Sequence, residues 1–117
     1  WRKSVGEMYY IGEEDDPAAI VCVAMTTHIP INTRDIALSE KGRYGIPYTV
    51  WSYKPKAGRN IIFALRDMAI QNGWERLVTL SPPTDMAHKF HTLNGAFLLS
   101  DNNKTRNYEY PLCSQNA

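Results

Sequence analysis

Residues 48–80 read YTVWSYKPKAGRNIIFALRDMAIQNGWERLVTL. Tyr48 to Tyr53 is aromatic and β-branched, which predicts a strand. Lys54 to Gly58 follows as a short basic loop. From Arg59 to Asn72 the apolar period changes. Ile61, Leu65 and Met68 recur at spacings of four and three, and Ile62 and Ala69 widen the stripe, so this segment predicts an amphipathic helix. Gly73 supplies a stop. Arg76 to Leu80 predicts a second strand. A strand, a helix and a strand with short connections imply parallel pairing through a right-handed crossover.

Outward from this unit, the chain predicts hairpins at both ends. Met8 to Ile11 and Ala18 to His28 read as strands around a turn at Gly12 to Pro17, where Asp, Pro and Gly favour bent backbone. The nearly continuous apolar run after Ala18 suits a strand buried on both faces. Ile29 to Gly45 reads as a loop with one or two helical turns within Arg34 to Lys41. Ser81 is placed as the cap of a second helix, with Pro82 at its first position. Met86, Phe90 and Leu93 are its expected apolar stripe, and it ends near Gly95. Ala96 to Leu99 and Asn107 to Leu112 complete the set as strands. The expected fold class is α+β: a twisted, mixed sheet with flanking helices, forming a single domain over residues 1–117.

The chain has 117 residues, 44% hydrophobic and 21% charged, with a formal net charge of +1. Such a composition supports a packed core. The near-neutral balance argues against a dedicated nucleic-acid binder, although Lys54, Lys56 and Arg59 beside Trp51 and Tyr53 mix charge with stacking surface. No apolar run reaches the roughly 20 residues of a membrane helix. Cys22 lies in an apolar run and reads as a small buried hydrophobe. With Cys113 it could form a disulfide, but nothing points to secretion, so a reducing cytoplasm is the expected compartment. His28, His88 and His91 lack partners at metal-ligand spacing, and no metal site is expected.

Three stretches resemble the GNAT acyltransferase family. Tyr53-Lys54-Pro55-Lys56-Ala57-Gly58 stands at the place of the family's Gln/Arg-x-x-Gly-x-Gly/Ala pyrophosphate loop. Gly58 matches the last glycine, while Lys56 replaces the first and Tyr53 replaces Gln or Arg. Gly73-Trp74-Glu75-Arg76-Leu77 resembles the approach to the family's fifth strand. Ala87-His88-Lys89-Phe90-His91-Thr92-Leu93-Asn94-Gly95-Ala96 resembles the end of its following helix, with His91 for tyrosine and Ala96 for phenylalanine. Met8 to His28 is similar to the family's second and third strands, which implies that its N-terminal helices are missing or reduced.

The resemblance implies an N-acyltransferase that moves an acetyl group from acetyl-CoA to an unidentified amine. Coenzyme A would lie between the two central strands. Tyr53, Lys54, Lys56, Ala57, Gly58, Arg59 and Asn60 would bind it, because a strand-to-helix loop offers backbone N–H groups at the positive end of a helix dipole. A backbone N–H of the Tyr48 strand would steady the oxyanion. His91 would protonate the departing thiolate, since a free imidazole titrates at about 6.5. The helical wheel sets His91 at the flank of the stripe, at a cleft edge, and leaves His88 without a function. Glu7, Glu13, His28 and Asp35 are candidate bases only because they titrate. The alternative is a non-catalytic module of the same fold that binds coenzyme A or a macromolecular partner. Either reading leaves a homodimer open.

Overall fold

The computed structural model describes residues 6–13 and 15–112. Its elements run β1 (Gly6–Glu13), β2 (Asp16–Thr26), α1 (Thr33–Leu38), β3 (Tyr44–Ser52), α2 (Ala57–Gln71), β4 (Arg76–Val78), α3 (Asp85–Leu93), β5 (Phe97–Asp101) and β6 (Arg106–Tyr110). They form one six-stranded sheet in the order β1-β2-β3-β4-β6-β5. Every neighbouring pair is antiparallel except β3 and β4, which are parallel. The mixed sheet and its crossover helix are those expected from the segment 48–80.

β2 is the central buried strand of the hairpin side, with every residue from Val21 to Thr26 buried. Along it the side chains alternate between two cores. Ala19, Val21, Val23 and Met25 meet Ile61, Ile62 and Leu65 of α2, together with Leu77, Tyr108 and Tyr110. On the opposite face Ala24 packs with Ile36 of α1, Ile46, Val78 and Leu80. The stripe read on α2 is therefore its buried face, and Gly73 ends that helix with a left-handed φ of 69°.

Several local expectations are corrected. β1 continues to Glu13 and β2 resumes at Asp16, so the first turn is shorter than Gly12 to Pro17. β3 begins at Tyr44 and takes in Gly45 and Pro47, residues that look like loop in isolation. α2 begins at Ala57, inside the expected basic loop, and β6 ends at Tyr110.

The second long helix departs most. Ser81 is not its cap: Ser81 pairs with Arg106 in a short bridge that extends β4. Thr84 caps the helix instead, its side chain accepting from the Ala87 N–H at 3.2 Å. Met86 and Leu93 are 81% and 83% exposed, so the expected stripe is not the inner face. That face is Ala87, His88, Phe90 and His91, with Phe90 packed on the α2 core. His91 is consequently buried in the helix–sheet interface rather than set at its flank. Tyrosines on β6 make this possible, because they offer polar partners to a buried histidine. Cys22 is buried with a free thiol, and Cys113 lies outside the described residues.

Candidate functional site

β3 and β4 pair only at their start. Tyr44 and Gly45 face Arg76 and Leu77, and the Leu80 N–H donates to the Pro47 carbonyl at 3.1 Å. Past Pro47 they part. Two features of the sequence cause this. Pro47 has no N–H to give to a ladder, and the β2–β3 register slips between Cys22 and Val23, opposite Thr49 and Pro47, so that Tyr48 is the extra residue of a bulge. A bulge bends its strand and increases its twist. Beyond it, β3 stays bonded to β2 through Thr49, Val50, Trp51 and Ser52, and its other edge is left facing α3.

The opening is a cleft of about 340 Å³. Its walls are Tyr48, Val50 and Ser52 of β3, Gly58 at the start of α2, Leu80 and Ser81 after β4, and Ala87, Phe90 and His91 of α3. Among the described residues no lysine, arginine, aspartate or glutamate lines it. A pocket of this kind suits a long, mostly neutral group with its charge outside.

The strand-to-helix turn closes one end. Lys56 is the N-cap of α2 and takes a left-handed φ of 66° with no side-chain cap. The backbone here takes a conformation that glycine adopts freely. Gly58 is buried. A Cβ built there would lie 3.4 Å from Phe90 Cε1 and 3.5 Å from Ser52 Cβ. That is ordinary contact, so alanine fits and anything longer would enter the cleft.

Not all the amides read as donors are idle. The Ala57 N–H donates to the Lys54 carbonyl at 3.1 Å, and the Asn60 N–H to the Lys56 carbonyl at 3.1 Å. The Gly58 N–H donates to Ser52 Oγ at 3.2 Å. Ser52 thus caps the first turn of α2 through the Gly58 N–H, and the sequence carried no signal for it beyond its position before the turn. The cations are dispersed. Lys54 pairs with Asp16 across 3.4 Å, both well exposed, so the pair contributes little. The Arg59 guanidinium lies over the Phe63 ring at 5.0 Å. Tyr53 is 60% exposed. Of the seven residues expected to bind coenzyme A, Gly58 alone lines the cleft. Trp51 does not line it.

Behind the cleft lies a polar network inside the apolar core. His91 Nδ1 is 2.7 Å from the Tyr110 hydroxyl, and Nε2 is 3.2 Å from Ser81 Oγ. Ser81 Oγ is 2.7 Å from Thr79 Oγ1, which accepts the Tyr108 N–H at 3.1 Å. The His91 ring stacks on Tyr108 at 5.1 Å. His88, one helical turn back, meets the Tyr108 hydroxyl at 3.0 Å, which gives it a structural partner. Burial lowers the His91 pKa to about 4. At neutral pH the ring is uncharged, so it does not carry the imidazolium proton that the sequence argument relied on. The same burial raises the Tyr110 pKa and keeps its hydroxyl protonated. Sequence reasoning missed Ser81 as a site residue, having assigned it to a cap, and it missed both β6 tyrosines.

None of the candidate bases lines the cleft. Asp35 Oδ2 instead accepts the Ile31 N–H at 2.9 Å beside α1. Among the described residues no three His, Cys, Asp or Glu side chains gather as a metal site, and no helix is long and apolar enough to cross a membrane.

No protein-family model and no curated protein matches the sequence. Solved structures do match the fold. The PaiA N-acetyltransferase of Thermoplasma acidophilum, in complex with coenzyme A, superposes with a TM-score of 0.66 at 6% identity, covering 91% of this chain and 60% of its own. A GNAT-family acetyltransferase of Staphylococcus aureus gives 0.67 at 10% identity, over 94% of this chain and 70% of that one. Tetrahymena GCN5 gives 0.65 at 10% identity, over 95% and 71%. The chain thus spans about 60 to 70% of the length of these proteins. At such low identity the likeness speaks for architecture alone, and its terms are those of the strands that part at Pro47 and the helix that starts beside the gap: this chain has the GNAT acyl-CoA N-acyltransferase fold.

Proposed function

We propose that this chain binds acetyl-CoA and transfers its acetyl group to an amine. The observation that carries the reading is the cleft between β3 and β4, mostly apolar, with a glycine-containing helix start at one end. The residues present fit such a substrate. A pantetheine arm needs a narrow neutral slot with strand backbone on one side, and β3 past Pro47 offers that edge. A pyrophosphate needs helix N-terminal amides and room for close approach; Gly58 leaves the room, and with the Ala57 and Asn60 N–H groups already bonded the amides on offer are those of Lys56 and Arg59, and that of Gly58 by exchange with Ser52. There the phosphate oxygens take over the Gly58 N–H from Ser52, while Lys54, Lys56 and Arg59 add positive charge from outside the slot.

The thioester supplies an activated acyl carbon, and the protein's part is placement. A backbone N–H on the β3 edge past Pro47 would stabilise the oxyanion, and such preorganised donors are worth several kcal/mol in a dry site. His91 belongs to the leaving-group side and acts there as a neutral ring. Among the described residues no carboxylate lines the cleft, so the acceptor enters as the free base or loses its proton to water. The coenzyme-binding module without transfer remains the second reading, and the same missing carboxylate is what favours it.

Calorimetric titration with acetyl-CoA is the test. The parent chain and Gly58→Ala should bind it, and Gly58→Glu should not, because the new carboxylate fills the slot and opposes the pyrophosphate. Equal affinity in Gly58→Glu would remove the loop assignment. No binding by the parent chain would remove the reading as a whole. Binding without acetyl transfer to any of a panel of amines would leave the second reading.

A further inference from the structure

The hydrogen bonds behind the cleft fix the direction of one proton. The Tyr110 hydroxyl is buried, and its single hydrogen-bond partner among the described residues is His91 Nδ1. A buried phenol donates where it has one acceptor, so Nδ1 accepts. A neutral ring then carries its proton on Nε2 and donates it to Ser81 Oγ. Thr79 Oγ1 already accepts the Tyr108 N–H, and among the described residues Ser81 Oγ is its one other hydrogen-bond partner. Thr79 therefore also donates to Ser81. With both lone pairs of Ser81 Oγ engaged, its own O–H has a single direction left, away from Thr79 and His91 and into the cleft that Ser81 lines. The backbone of Ser81 is fixed on both sides, since its N–H and carbonyl each bond Arg106 at 2.8 Å.

We propose that Ser81 is a catalytic hydrogen-bond donor to the leaving sulfur, aimed from behind by Thr79 and by the His91–Tyr110 pair as positioning residues. The proposal rests on the acyl-CoA reading of the cleft. In the step, the amine nitrogen forms its bond to the acyl carbon, the carbon–sulfur bond breaks, and the electron pair stays on sulfur. Ser81 keeps its proton and shares it with the thiolate, while the surplus proton of the amine goes to water. The cleft makes this donor matter. Among the described residues no lysine or arginine lines it, and burial by itself would disfavour a thiolate there. Its titratable lining groups are Tyr48 and His91; the Tyr48 hydroxyl oxygen is itself buried.

The test needs no acceptor amine. Free CoA is bound to the protein, and its thiol is titrated by thiolate absorbance. The parent complex should titrate at or below the pH at which free CoA does, despite the dry surroundings. Ser81→Ala should raise that midpoint by about one pH unit, a tenfold loss of thiolate preference, with a cooperative thermal melt of the variant as the check on folding. A bound thiol in the parent that titrates above free CoA overturns the proposal without any variant. So does an unmoved midpoint in Ser81→Ala, or a shift in Tyr48→Phe that Ser81→Ala lacks. Failure of the parent to bind CoA at all would instead count against the acyl-CoA reading.

Discussion

Lys56 holds a left-handed backbone at the first turn of α2, where an L side chain costs about 1–2 kcal/mol. It also stands at the end of the helix that attracts anions, so strain and charge are joined in one residue. Lys56→Gly should separate them. Stability should rise by about 1 kcal/mol, less the entropy that glycine gains in the unfolded chain. Acetyl-CoA affinity should fall a few-fold, and its salt dependence should become shallower. Denaturant melts and calorimetry at two ionic strengths measure both. A loss of stability in Lys56→Gly would show that the lysine makes contacts that outweigh the backbone cost. The lysine itself hides the glycine-like conformation in the sequence, because residue type and backbone shape disagree there.

Two elements set the width of the cleft, and each turns on small residues. β3 can start beside β4 only because Gly45 leaves room for the Trp74 ring: a Cβ there would sit 2.4 Å from Trp74 Cε3 and Cζ3. Trp74 precedes β4, so the contact locks the paired end of the two strands while Pro47 and the Tyr48 bulge free the other end. Gly45→Ala should destabilise the fold by about 2 kcal/mol through overpacking. A double variant with Trp74→Leu should recover much of that loss, a non-additivity expected of residues in contact. Unchanged stability in Gly45→Ala would show that the ring moves aside without cost. The strand, helix, strand unit was readable from its periods. The start of β3 was not, because Gly45 and Pro47 are loop-like until Trp74 and the β2 edge give them a reason to be extended.

Across the whole molecule, the buried His91 ties stability to pH. Its pKa is held near 4 when folded, against about 6.5 when exposed. Below pH 6.5 the unfolded chain takes up a proton that the folded chain refuses. Stability therefore falls as pH drops from about 6.5 towards 4 and levels off below it. The full difference amounts to about 3 kcal/mol. Thermal melts from pH 7 to 4 should show the decline in the parent, and His91→Gln should flatten it in that window, since glutamine keeps an N–H for Ser81 and does not titrate. A parent whose melting temperature is level from pH 6.5 to 4.5 would mean that the ring is protonated in place.

The sequence by itself determined the periods: the strand, helix and strand between Tyr48 and Leu80, the hairpins around them, and hence the mixed sheet with one parallel pair. Local period and stop signals suffice for that, since an amphipathic helix and its flanking strands announce their own faces. It also determined that the turn at Lys54 to Gly58 opens a helix, which is the basis of the anion reading. Only the tertiary structure decided which face of α3 points inward. On that helix the apolar Met86 and Leu93 are exposed and the polar His88 and His91 are inside, because Tyr108 and Tyr110, about twenty residues away, offer hydroxyl partners that satisfy buried imidazoles. Hydrophobic patterning cannot foresee that inversion, as it assumes the core facing a helix to be apolar. The same holds for Ser81. A serine before two prolines reads as a cap, and its place in the wall of the cleft depends on a bridge to Arg106 that exists only once β6 has paired with β4.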